Sequence, residues 1–133
     1  MTGVGRPAMV DVQRGATTVR DRLMGQDYIA LKAETENGEL ISEPSEDAIF
    51  GLIVELAGPD NTFVIIEPDE DDPAWFASVS LLDDGRYEVE FRDPPHRRHQ
   101  LSTDANPDKI ANAVTHWTTE TARAHARLRN SQP

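Results

Sequence analysis

Apolar and polar residues alternate through Tyr87-Glu88-Val89-Glu90-Phe91-Arg92. Successive side chains of a strand point to opposite faces, so Tyr87, Val89 and Phe91 predict a buried face and Glu88, Glu90 and Arg92 a solvated one. Trp75 to Leu82 has the same period, with Trp75, Ala77, Val79 and Leu81 on one side. Asp83-Asp84-Gly85 between these two runs predicts a tight hairpin turn. Thr62-Phe63-Val64-Ile65-Ile66 is a β-branched, aromatic run of strand length. Earlier in the chain, Tyr28 to Lys32 predicts a short strand, Asn37-Gly38 a turn, and Leu40-Ile41 a brief strand beyond it. After Pro94-Pro95, His99-Gln100-Leu101 predicts one more short strand.

Two segments carry the helical period instead. Ser42-Glu43-Pro44-Ser45-Glu46-Asp47 supplies capping hydroxyls, a proline suited to a first turn and acids that favour the start of a helix over about 45–57, in which Ile49, Ile53 and Leu56 share a face with Phe50 and Ala57 beside them. Gly58-Pro59 ends it. The second opens at Asn106-Pro107 and runs to about 122, with a stripe through Ile110, Val114, Trp117, Thr121, Ala124 and Leu128. Beyond Glu120 that stripe thins to alanine while Arg123, Arg127 and Arg129 make the helix basic, which predicts a projecting end.

Short connections between successive strands favour antiparallel pairing, and alternating strands need cover on one side only. The expected fold is therefore α+β, an antiparallel meander of four to five strands with two main helices packed on one face. The expected organisation is a flexible N-terminal extension over 1–24, a single α+β domain over 25–122, and a basic helix end and tail over 123–133.

Length and composition narrow the function classes. A chain of 133 residues fits one domain and can bury a core without crosslinks. With no cysteine, disulfides, thiolate catalysis and cysteine-ligated zinc are excluded. Met1 to Leu23 contains no continuous apolar stretch, and the longest apolar run, Ala48 to Val54, is interrupted by Gly51. Neither a signal peptide nor a membrane span is expected, and the expected location is cytoplasmic.

The net charge of −11 is unevenly placed. Residues 25–90 hold Lys32 and Arg86 against 18 acidic residues, whereas the segments on either side are net positive. Such a centre repels phosphate backbones and attracts a cationic protein.

No residue pattern predicts catalysis. His96 and His99, three apart, have metal-ligand spacing, but they flank Arg97-Arg98, whose permanent charges oppose a bound cation. His116 stands at a boundary position beside Trp117. No G-x-S-x-G is present, and Asp69-Glu70-Asp71-Asp72-Pro73 lacks the glycine and the alternating oxygens of a calcium loop. The expectation is a non-catalytic binding protein with no cofactor and no metal. Its partner-binding residues are expected among Glu67, Asp69, Glu70, Asp71, Asp72, Trp75, Asp83, Asp84, Glu88 and Glu90. Trp75 and Trp117 are large enough to anchor an interface, but both lie on apolar faces and core packing is the favoured reading, less firmly for Trp75, which opens its strand beside a loop. The partner is expected to be a basic protein, with no nucleic acid or membrane, and the chain itself a monomer or weak homodimer.

The succession FVIIEP, WFASVSLLDDG, RYEVEFRD, HRRHQLST and a helix from NPDKIANAV to His116-Trp117 resembles the small actinobacterial immunity proteins of polymorphic toxin systems. The nearest resemblance is to the first-numbered immunity family, commonly encoded beside deaminase-type toxins. It spans about residues 38–118, and Tyr87 to Arg92 is its most distinctive tract. The resemblance implies an antitoxin that binds a deaminase- or nuclease-type toxin domain stoichiometrically and occludes its active site. The alternative reading is a non-catalytic regulatory or accessory subunit.

Overall fold

A computed structural model describes residues 28–131. Among them the chain forms β1 (Leu31–Thr35), β2 (Leu40–Ser42), α1 (Glu46–Val54), β3 (Phe63–Pro68), β4 (Phe76–Leu81), β5 (Tyr87–Asp93), a 3₁₀ turn (Pro94–His96), β6 (Arg98–Asp104) and α2 (Pro107–Asn130). The strands make one sheet in the order β2-β1-β3-β4-β5-β6, and every neighbouring pair is antiparallel. The fold is α+β.

The sheet has six strands rather than four or five, and only β3 to β6 form a meander. The β1–β2 hairpin pairs with β3 through β1, so α1 is a crossover between β2 and β3. The first strand also lies later than its propensity predicts. Thr35 draws β1 forward: its backbone N–H donates to Glu39 O at 2.9 Å and its hydroxyl oxygen accepts from Glu39 N at 3.0 Å, closing the Asn37-Gly38 turn. Gly38, at φ 95°, supplies the left-handed residue that this turn needs.

One turn contact is charged. Glu36 Oε1 accepts from Thr62 N at 2.8 Å and Thr62 Oγ1 at 2.7 Å, and these bonds hold its carboxyl below the ordinary range. A carboxylate with a lowered folded pKa contributes stability that is present above its unfolded pKa and lost as pH falls through the folded one. Glu36→Ala is therefore expected to lower the melting temperature at pH 7, with the deficit shrinking on acidification below the usual glutamate range. A deficit that does not change with pH would show that the charge at Glu36 has no part in it.

Ala33, Val64, Ile66, Ala77, Val79, Tyr87, Val89 and Phe91, on one side of the sheet, join Ile49, Leu52, Ile53 and Leu56 of the α1 segment and Ile110, Ala111 and Val114 of α2 in one buried cluster. Both helices thus cover the same face. Ser45 caps α1 by accepting from Ala48 N at 3.1 Å, and Asn106 caps α2 by accepting from Asp108 N at 3.0 Å.

The C-terminal half of α2 departs from the expected projecting end. The helix continues to Asn130, and its buried positions are Ile110, Ala111, Val114, Thr118, Thr121, Ala122, His125 and Ala126. Trp117 and Ala124 are half-buried and Leu128 is exposed, so the predicted stripe is rotated from the real one. A second cluster of Ile29, Trp75, Ala122 and Ala126 holds this half down. The expectation of a mobile extension over 1–24 falls outside the described residues.

Candidate functional site

The alternation that buries one face of the sheet leaves the other uncovered by either helix. Across its middle, cross-strand neighbours run Leu40, Glu34, Ile65, Ser78, Glu90, Leu101. Phe63, opposite Ser80, and Phe76, opposite Arg92, lie on the same face. Phe63, Ile65 and Phe76 are half-buried, while Leu40 and Leu101 on the outer strands are more than half exposed. Lys32, Glu67, Glu88, Arg92, His99 and Thr103 complete the surface. An apolar centre is therefore framed by four carboxylates (Glu34, Glu67, Glu88, Glu90) and two cations (Lys32, Arg92).

The carboxylates here are partly engaged with each other's surroundings. Glu67 sits 3.8 Å from Lys32 Nζ, and its burial raises its pKa against the opposing pull of that ammonium. Glu90 Oε2 lies 2.8 Å from His99 Nε2 and 4.0 Å from Arg92 Nη1. The His99–Glu90 contact is exposed at the sheet edge, with the His99 side chain 53% accessible.

The register separates the remaining sequence-predicted site residues. Asp69, Glu70, Asp71 and Asp72 connect β3 to β4, whereas Asp83 and Asp84 form the turn at the other end of β4. At about 3.3 Å per residue, a strand of this length puts the two turns on the order of 20 Å apart. The first group lies at the same end as Arg97, Arg98 and the end of α2, where Arg129 Nη2 donates to both oxygens of Glu70 at 2.9 and 3.1 Å. The second group shares its end with Glu36, Glu39, Asp60, Asp104 and Asp108, opposed by Arg86 and Lys109. Asp84 accepts from Arg86 N at 3.0 Å and Arg86 Nε at 2.9 Å, which lowers its pKa. Among the described residues the hairpin end is thus the more acidic one, which the charge of sequence segments does not reveal.

Trp75 is not available to a partner. It is 1% exposed, edge-on to Trp117 at 5.8 Å and stacked on His125 at 5.7 Å. Its place at the start of a strand beside a loop reads as surface until the far half of α2 closes over it.

The sequence also left unrecognised a cluster behind Trp75. Asp93, the last residue of β5, is 2% exposed. Its Oδ2 lies 2.7 Å from His96 Nδ1 and its Oδ1 2.9 Å from His125 Nε2. The two imidazoles meet edge to face at 4.7 Å. His96 and His99 do not form a pair: one turns to Asp93 on the helix side, the other to Glu90 on the open face. The missing partner, His125, lies 29 residues beyond His96, at a distance no local spacing rule covers.

No family model matches the chain, and neither a curated protein nor a solved structure matches it. No helix among the described residues is long and apolar enough to cross a membrane.

Proposed function

We propose that the chain is a binding protein that holds a basic protein partner against the open face of its sheet, with the acidic rim steering the approach. The face that neither helix covers among the described residues carries this reading: Phe63, Ile65 and Phe76 supply a desolvating centre, and Glu34, Glu67, Glu88 and Glu90 supply complementary charge around it. An apolar patch rimmed by polar groups is the usual form of an interaction site, and rim charges act mainly on association rate.

The resemblance to immunity proteins supports a cytoplasmic antitoxin whose partner is a deaminase- or nuclease-type toxin domain. Such a domain is basic where it holds nucleic acid, and this face offers fixed carboxylates in place of phosphates. The accessory-subunit reading uses the same face with a different partner.

The test is association kinetics with a candidate deaminase- or nuclease-type toxin domain, at two ionic strengths. Reversal of Asp60, Asp83 and Glu88 to lysine at the hairpin end is expected to slow association about tenfold or more at low salt, with a smaller effect at high salt. Reversal of Asp69, Asp71 and Asp72 is expected to act less, because Arg97, Arg98 and Arg129 already offset that end. Unchanged association in both triple variants would overturn the acidic-steering reading.

A further inference from the structure

We propose that Asp93, His96 and His125 form a binding site for a divalent transition-metal ion of the zinc class. One donor atom from each residue lies within 4.8 Å of the other two. Two imidazole nitrogens and a carboxylate oxygen are a donor set that suits zinc, nickel, cobalt and iron and discriminates against calcium and magnesium. Around a tetrahedral ion with bonds of about 2.0–2.1 Å, neighbouring donors stand roughly 3.3 Å apart. The 2.7 and 2.9 Å contacts, which go to different oxygens of Asp93, open by about half an ångström to admit one, and the widest donor separation, within 4.8 Å, closes by roughly 1.5 Å as the rings turn about the carboxylate.

The scaffold fixes the three groups from separate directions. Asp93 is held in the β5–β6 ladder opposite Arg98. His96 follows it by one 3₁₀ turn, closed by Arg97 N donating to Pro94 O at 2.9 Å. His125 is pinned on α2 between buried Ala122 and Ala126, with its ring against Trp75. The mouth is on the His96 side, where the imidazole is 30% accessible and the carboxylate behind it only 3%. An ion enters past His96, and a fourth position is left for water or a partner's side chain.

Charge favours the ion at the centre of the site. Among the described residues, the ion pairs of Asp93 are with the two histidines alone, and both imidazoles are neutral when they ligate. One carboxylate beneath two neutral rings leaves net negative charge for a cation to meet. Arg97 and Arg98, which follow His96 directly, are exposed and lower the affinity without blocking the donors. Without an ion, the carboxylate of Asp93 accepts from both imidazoles, so the cluster is satisfied in the metal-free structure.

The experiment is calorimetric titration of the untagged full chain with Zn²⁺, repeated with Co²⁺ to read the ligand field by visible absorption. One ion per chain, a tetrahedral Co²⁺ spectrum and a melting temperature that rises with free Zn²⁺ are expected. His96→Ala, at the accessible edge of the cluster, keeps the fold and is expected to weaken binding tenfold or more. His99→Ala, next to Glu90 on the other face, is expected to leave it unchanged. Absence of uptake, uptake of several ions, or uptake that His96→Ala does not weaken would overturn the proposal, since surface carboxylates then account for any binding.

Discussion

Trp75→Ala is expected to be the most destabilising single substitution outside the main core, costing about 3–5 kcal/mol. The indole is 1% exposed and lies between Trp117 and His125, against Ile29, Ala122 and Ala126. Its loss leaves a cavity that alanines and a helix backbone cannot collapse to fill. For a domain of this size each kcal/mol moves the midpoint by roughly 4–8 °C, so a fall on the order of 15 °C or more is expected. The damage should concentrate in the C-terminal half of α2, because the second cluster packs against that half. Hydrogen exchange would show amides beyond Thr118 losing protection before those around Val114. Trp75→Phe retains a ring against His125 and is expected to cost far less. A shift of a few degrees for Trp75→Ala would mean that the C-terminal half of α2 holds to the sheet by other contacts.

The elements that were legible in the sequence are those where one rule decides. The β4–β5 hairpin follows from strict alternation meeting Asp-Gly, and a helix start between Ser42 and Asp47 from the capping hydroxyls and acids there, of which the structure uses Ser45. The stripe of α2 was misread because hydrophobicity and helical period diverge there. Steps of four, four, three and four from Ile110 pass through Val114, Thr118, Thr121 and His125, which are buried although three are polar. Thr118 is compatible with burial because its hydroxyl donates to Val114 O at 2.8 Å, a bond invisible in composition. Selecting apolar residues instead rotated the face toward Trp117 and Leu128. The same error concealed His125, and with it the Asp93 cluster.

The distribution of charge along the sequence locates the acidic residues but not the end of the sheet that each one occupies. That is a matter of register, and register places Asp83 and Asp84 beside Asp104 and Asp108, far from Asp69 to Asp72 in space though close in sequence. β6 was foreseen as a short strand at His99 to Leu101 but spans seven residues, all but Asp104 exposed. Edge strands need no buried face, so their extent leaves little hydrophobic trace.

The open face yields the second large effect. Ile65→Lys is expected to weaken binding of the partner about 30-fold or more, the equivalent of a hot-spot loss of roughly 2 kcal/mol. Ile65 stands mid-face between Glu34 and Ser78, with Phe63 and Glu67 two residues away along its strand. Lysine there places an ammonium where a basic partner must dock and removes the apolar contact that excludes water. The fold should tolerate it, since the side chain is half-buried on a sheet face and Glu34 is directly opposite, so the stability change should stay within about 1 kcal/mol. Leu128→Lys serves as the control: it is equally apolar and 46% exposed, but it lies on the helix layer, and binding should not change. Equilibrium affinity and thermal melts on both variants separate the outcomes. Full affinity in a folded Ile65→Lys would move the interface off this face. Loss in Leu128→Lys with Ile65→Lys intact would place it on the helices, around Arg123, Arg127 and Arg129.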